Sequence, residues 1–156
     1  MGGAVTALCL ERYPGLFSRA VFSAPMLDIN TAPYPRAVAY GLVSFLTLIG
    51  RGEEYAPGKG PYDPTHEENL YTSSFPRYAA SLRVRRRYPR TVLGGPTSRW
   101  IKESLEAADR AVDGAPGIVI PVLVLQAGMD VLVNPEGQNR FVENLPQGRL
   151  HRYPGA

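Results

Sequence analysis

The stretch "IVIPVLVLQAGMD", residues 118–130, decides the fold class. Its β-branched and leucine residues run without a charge up to Asp130, flanked by Pro121 and Gly128. A continuous apolar run of this length reads as a central parallel strand buried on both faces, since a half-solvated strand would alternate apolar with polar. Parallel neighbours require crossover connections, usually helical. The flanks supply them. Residues 94–114, "GGPTSRWIKESLEAADRAVDG", place Thr97 or Ser98 to cap a helix, repeat apolar residues at Ile101, Leu105, Ala108 and Val112, and stop at Asp113-Gly114. Residues 134–148, "NPEGQNRFVENLPQG", read as a second helix with Glu136 as an acid of its first turn, and "RLHRYPGA" as one more strand.

Further out, "GGAVTALCLERYPG", residues 2–15, reads as a helix with Val5, Leu8 and Cys9 on one buried face, Glu11 and Arg12 off it, and Tyr13-Pro14-Gly15 ending it. "RAVFSAP", residues 19–25, is a compact apolar run stopped by proline and suits a buried strand. Helix and buried strand alternate, so the class is α/β. The stretch between behaves differently. "AVAYGLVSFLTLIG", residues 37–50, is uncharged but far short of the about 20 residues that span a bilayer, and reads as a buried or interfacial helix. Residues 50–76 are dense in glycine, proline and acids and read as an irregular excursion. Residues 32–95 therefore look like an insertion rather than another βα unit.

With 156 residues and 44% apolar content the prior is one globular domain, 1–156. The single cysteine, Cys9, points to a reducing compartment, and no signal-peptide pattern opens the sequence, so a cytoplasmic location is expected. Net charge is +3, but six arginines and no acid lie between Arg77 and Arg90, after a segment from Glu53 to Glu68 with five acids against Lys59. Such a run is either a solvated helix face or a surface that attracts phosphates of lipid headgroups or nucleic acid.

The only histidines, His66 and His151, are far apart in sequence and no Cys/His cluster joins them, which argues against a metal site. "GGPT" and "GKGP" lack the spacing of a phosphate-binding loop, and no serine stands in a Gly-x-Ser-x-Gly elbow. Asp130 stands out. It follows directly on a parallel strand, where open α/β sheets gather their functional groups. The same place also suits an acid that bonds nearby turn N–H groups.

Three segments, "MGGAVTALCLERYPG…AVFSAPMLDI", "LGGPTSRWIKES" and "PVLVLQAGMDVLVNPEGQ", resemble α/β-hydrolases of the monoacylglycerol lipase and lysophospholipase L2 type, with Gly94 to Trp100 the most specific match. The resemblance implies the C-terminal part of that fold: the last three parallel strands of eight, near 19–24, 120–127 and 149–153, with helices and a cap insertion at 32–95. It implies a serine hydrolase of lysophospholipid or monoacylglycerol esters that needs no cofactor. On the family pattern the serine would directly precede Met1, whose backbone N–H would belong to the oxyanion hole. Gly2 and Gly3 would let the elbow helix approach its strand. Asp130 would be the triad acid, and the histidine would follow shortly after Ala156, with His151 a strand residue and His66 solvated. Arg85, Arg86 and Arg87 would attract a lipid headgroup or an anionic membrane surface, peripheral to the inner membrane. The chain alone would then be inactive, and its first strand would show an open apolar edge that favours aggregation. A reading of another class is a small basic module that uses Arg83 to Arg90 on anionic membrane or nucleic acid. The resemblance favours a lipid ester over nucleic acid as the partner.

Overall fold

The computed structural model describes residues 1–63, 72 and 74–156. Eight regular elements follow one another among these: α1 (Gly2–Arg12), β1 (Ala20–Ser23), α2 (Arg36–Leu48), α3 (Phe75–Arg87), α4 (Ser98–Asp113), β2 (Val122–Ala127), α5 (Pro135–Asn144) and β3 (Gly148–Tyr153). They divide into two compact units, one made of Met1–Tyr40 with Lys102–Ala156, the other of Gly41–Ile101. The inserted unit is thus somewhat shorter than the 32–95 insertion at its start and longer at its end.

The first unit holds a parallel sheet in the order β1-β2-β3, with Ala20 opposite Val122 and Val122 opposite Gly148. The 118–130 run is therefore the middle strand. Phe22, Val122 and Val124 face a core to which α1 contributes Ala4, Ala7 and Leu10, α4 contributes Ala111 and Val112, and α5 contributes Phe141. Spacing on α4 works as read, since Leu105, Ala108 and Val112 are all buried.

Two expectations need correction. Within residues 1–156 the middle strand is not buried on both faces: its burial alternates, with Leu123 and Leu125 only half-buried and Val21 beside them 66% exposed. The physical reason is that α1, α4 and α5 all send their buried side chains to the other face. On α1 the buried face is Ala4, Ala7 and Leu10, while Val5 is exposed and Leu8 and Cys9 are half-buried. Closeness explains this. A Cβ added at Gly3 would lie 2.5 Å from the Pro25 Cβ, so the first turn of the helix, where it meets the chain beyond β1, admits only small residues.

Helix α2 forms as read and passes into the second unit at Gly41; within it only Val43 is buried, Leu42, Phe45 and Leu48 are exposed, and so is Ile49 just beyond it. The glycine pair before α4 serves packing. Gly95 N donates to Gly60 O at 2.7 Å, Ala56 N donates to Pro96 O at 3.0 Å, and a Cβ at Gly94 would meet the Tyr55 hydroxyl at 2.7 Å. Trp100 N donates to the Thr97 hydroxyl at 3.2 Å, so Thr97 is the residue that caps α4. Among the described residues no helix is long and apolar enough to cross a membrane.

Candidate functional site

Parallel strands expose their carboxyl ends together, and the loops beyond β1 and β2 meet there. Beyond β1, Ala24 takes a positive φ of 41° while its N–H still bonds Leu125 O at 2.8 Å, so the chain turns sharply out of the sheet into Pro25. Pro25 abuts Gly3 at the start of α1, and the Met1 amino nitrogen lies 3.9 Å from the Met26 sulfur. The N-terminus of α1 and the end of β1 thus form one corner. A Cβ added at Gly2 would meet no atom within 4 Å among the described residues.

Beyond β2 stands Asp130, half-buried. Its Oδ1 accepts hydrogen bonds from Leu132 N at 2.8 Å and Val133 N at 2.9 Å. Two backbone donors fix that oxygen, while Oδ2 accepts none among the described residues. The turn is tied to β3 as well: Gly128 N donates to Tyr153 O at 2.9 Å and Met129 N to Ala156 O at 2.7 Å. A Cβ at Gly128 would lie 2.7 Å from Pro154 Cα, so glycine is what lets these two strand ends close up. Asn134 caps α5 by accepting from Glu136 N at 3.2 Å, and Glu136 lies in the first helical turn.

The sequence reading passed over a second carboxylate at the same end of the sheet. Asp28 is 4% exposed. Its Oδ1 accepts from Arg36 Nε at 3.0 Å and from Ile29 N at 2.9 Å, and its Oδ2 accepts from Asn134 Nδ2 at 3.0 Å. Arg36 reaches on to Asp109 Oδ1 at 2.7 Å. Burial alone would lower the Arg36 pKa, but the bond to Asp109 and the charges of Asp109 and Asp28 outweigh it and hold the guanidinium above its ordinary value. The one available signal was position, an acid shortly beyond an apolar strand, which Asp28 shares with Asp130.

The remaining sequence candidates lie elsewhere. His151 is an exposed β3 residue, paired in register with Leu125 and edge-on to Tyr153 at 4.6 Å between ring centroids. His66 is outside the described residues. Arg85, Arg86 and Arg87 form the last turn of α3 in the inserted unit. There the Arg85 guanidinium stacks 5.4 Å over the Tyr62 ring and Arg87 5.7 Å over Tyr88, and among the described residues no acid pairs with Arg83, Arg86 or Arg87.

A parallel β1-β2-β3 sheet with an inserted unit between its first two strands is the arrangement of the C-terminal part of an α/β-hydrolase. All 156 residues match one family of that fold, described as serine aminopeptidase, S33, and the chain belongs to it. It is 31% identical over 150 residues to a probable lysophospholipase L2 of Haemophilus influenzae, covering 96% of this chain and 47% of that protein. To lysophospholipase L2 of Escherichia coli K12 it is 32% identical over 145 residues, covering 92% and 42% respectively. The chain therefore spans about half the length of the relatives it matches. Among solved structures, the monoacylglycerol lipase of Paleococcus ferrophilus superposes with a TM-score of 0.63 at 21% identity over 97% of this chain and 54% of that one. A soluble variant of the Saccharomyces cerevisiae monoglyceride lipase superposes with a TM-score of 0.63 at 15% identity, over 99% and 50%. These two show the fold.

Proposed function

We propose that residues 1–156 supply the acid side of a serine hydrolase that cleaves carboxylic esters of lysophospholipids or monoacylglycerols. The observation that carries this reading is the Asp130 carboxylate in the turn beyond the middle strand, with one oxygen held by two backbone N–H groups and the other without a partner among the described residues. Such an oxygen can accept the N–H of a catalytic imidazole, hold its productive tautomer and stabilise the imidazolium formed when it takes the serine proton. This reading assigns neither the serine nor the histidine of the triad within 1–156. The α1 corner would receive the serine next to Met1, whose backbone N–H, once in peptide linkage, would help bind the oxyanion, and Gly3 lets that helix seat against Pro25. No cofactor enters this chemistry.

The inserted unit would act as a cap that receives the acyl chain, with the exposed apolar residues of α2 as its lining. The α3 arginines would draw in a phosphate-bearing headgroup or an anionic membrane surface from the cytoplasmic side. Replacing Arg85, Arg86 and Arg87 with glutamine in the whole protein is expected to weaken binding to vesicles rich in phosphatidylglycerol. About 1 kcal/mol per arginine, roughly a hundredfold in total, is expected at low salt, measured by sedimentation. Unchanged binding would remove the headgroup role.

Fatty-acid release by the protein expressed from the whole native reading frame tests the main proposal. Lysophosphatidylcholine or monoolein should be cleaved by it. A whole-frame protein that releases fatty acid from neither substrate would overturn the reading.

A further inference from the structure

We infer that Asp28 and Asn134 form a clamp that sets the orientation of the Asp130 carboxylate, which makes them positioning residues for ester hydrolysis; the inference rests on the assignment of Asp130 above. Asp28 and Asn134 are joined twice, through Asn134 Nδ2 to Asp28 Oδ2 at 3.0 Å and through Asn134 N to Asp28 O at 3.2 Å. From this joint a short two-stranded seam runs back toward the acid. Ile29 and Val133 form an antiparallel bridge, Asn30 N donates to Leu132 O at 3.0 Å, and Asn30 Nδ2 donates to Val131 O at 3.0 Å.

Leu132 and Val133 are thus held on both sides. Their N–H groups point to Asp130 Oδ1, and the seam grips the Leu132 carbonyl and the Val133 backbone from the segment beyond β1. Any rotation of this turn moves the two donors and the carboxylate with them. The clamp has its own anchor: a carboxylate this deeply buried needs a cationic partner, and Arg36 supplies it while also pairing with Asp109. Asp28 is not a second candidate for the triad acid. Both of its oxygens are engaged, by Arg36 and Ile29 on one side and by Asn134 on the other. Proximity effects make small displacements expensive in rate, with about 100-fold lost for a misplacement of roughly 1 Å.

The test uses the whole-frame protein with lysophosphatidylcholine. Asn134→Ser keeps a side-chain oxygen to cap α5 but removes the amide that reaches Asp28. It is expected to lower kcat about 10- to 100-fold with KM within about twofold, because substrate contacts are untouched. Asp28→Asn sets an amide donor against the Asn134 donor and should lower kcat at least as much. The double variant Asp28→Asn/Asn134→Asp restores a donor facing an acceptor with reversed roles and should recover most of the lost kcat. Wild-type kcat in Asn134→Ser at unchanged thermal stability would overturn the clamp, as would a double variant no better than the worse single one. Asp130→Asn in the same assay separates the two ideas. If it keeps wild-type kcat, the assignment of the acid fails and takes the clamp with it; if it is inactive while Asn134→Ser is fully active, only the clamp fails.

Discussion

Asp130→Asn is expected to lower kcat about 1,000- to 10,000-fold in the whole protein while leaving its folding intact. The replacement is nearly isosteric, and its carbonyl can still accept from Leu132 N and Val133 N, so the turn keeps both anchoring bonds. The other terminal atom changes from acceptor to donor. An imidazole N–H then meets an N–H, the ring is driven to the wrong tautomer, and no negative charge faces the imidazolium that forms as serine is deprotonated. The loss corresponds to about 4–5 kcal/mol of transition-state stabilisation. Steady-state kinetics on lysophosphatidylcholine, with circular dichroism to verify the fold, check it. Retention of more than about a tenth of the wild-type kcat would show that another group holds the histidine.

Phe141→Ala is expected to be the most damaging single truncation of the sheet unit, at about 3–5 kcal/mol. Phe141 is fully buried on α5 and meets Phe22 of β1 edge-on, with ring centroids 5.7 Å apart and planes at 73°. The aromatic contact therefore ties the helix that follows β2 to the neighbouring strand, in the same cluster as Val124 and Leu27. Its removal takes away a large transfer contribution and leaves a cavity in the buried cluster. Thermal unfolding of the whole protein should show Tm lowered by roughly 10 °C. A change below about 1 kcal/mol would mean that the helix can repack without its ring.

The elements that were legible in the sequence are those set by local pattern, whatever they pair with. The 118–130 run and the Leu105, Ala108, Val112 spacing translated directly into β2 and the buried stripe of α4, since strand length and helix period are local properties. On α1 the period was right and the face was wrong. Hydrophobicity ranks valine above alanine, but the distance between Gly3 and Pro25 selects small residues, and that distance is a tertiary fact. Burial of β2 on a single face escaped for a similar reason, because nothing in its composition says how many helices take each side. Position singled out Asp130 as one of two readings, and only the resemblance to α/β-hydrolases gave it a role. Asp28 shares that position, but its meaning depends on Arg36, Asp109 and Asn134, the last of them 106 residues away.

The split of the first unit into Met1–Tyr40 and Lys102–Ala156 has a consequence for how such proteins diversify. Pairing of β1 with β2 closes a loop containing the whole inserted unit, and the entropy of closing a loop grows only with the logarithm of its length. Doubling that loop would cost only about 0.6 kcal/mol. Selection can therefore lengthen, shorten or replace residues 41–101 almost independently of the sheet, while Asp130 and the seam beneath it stay where they are.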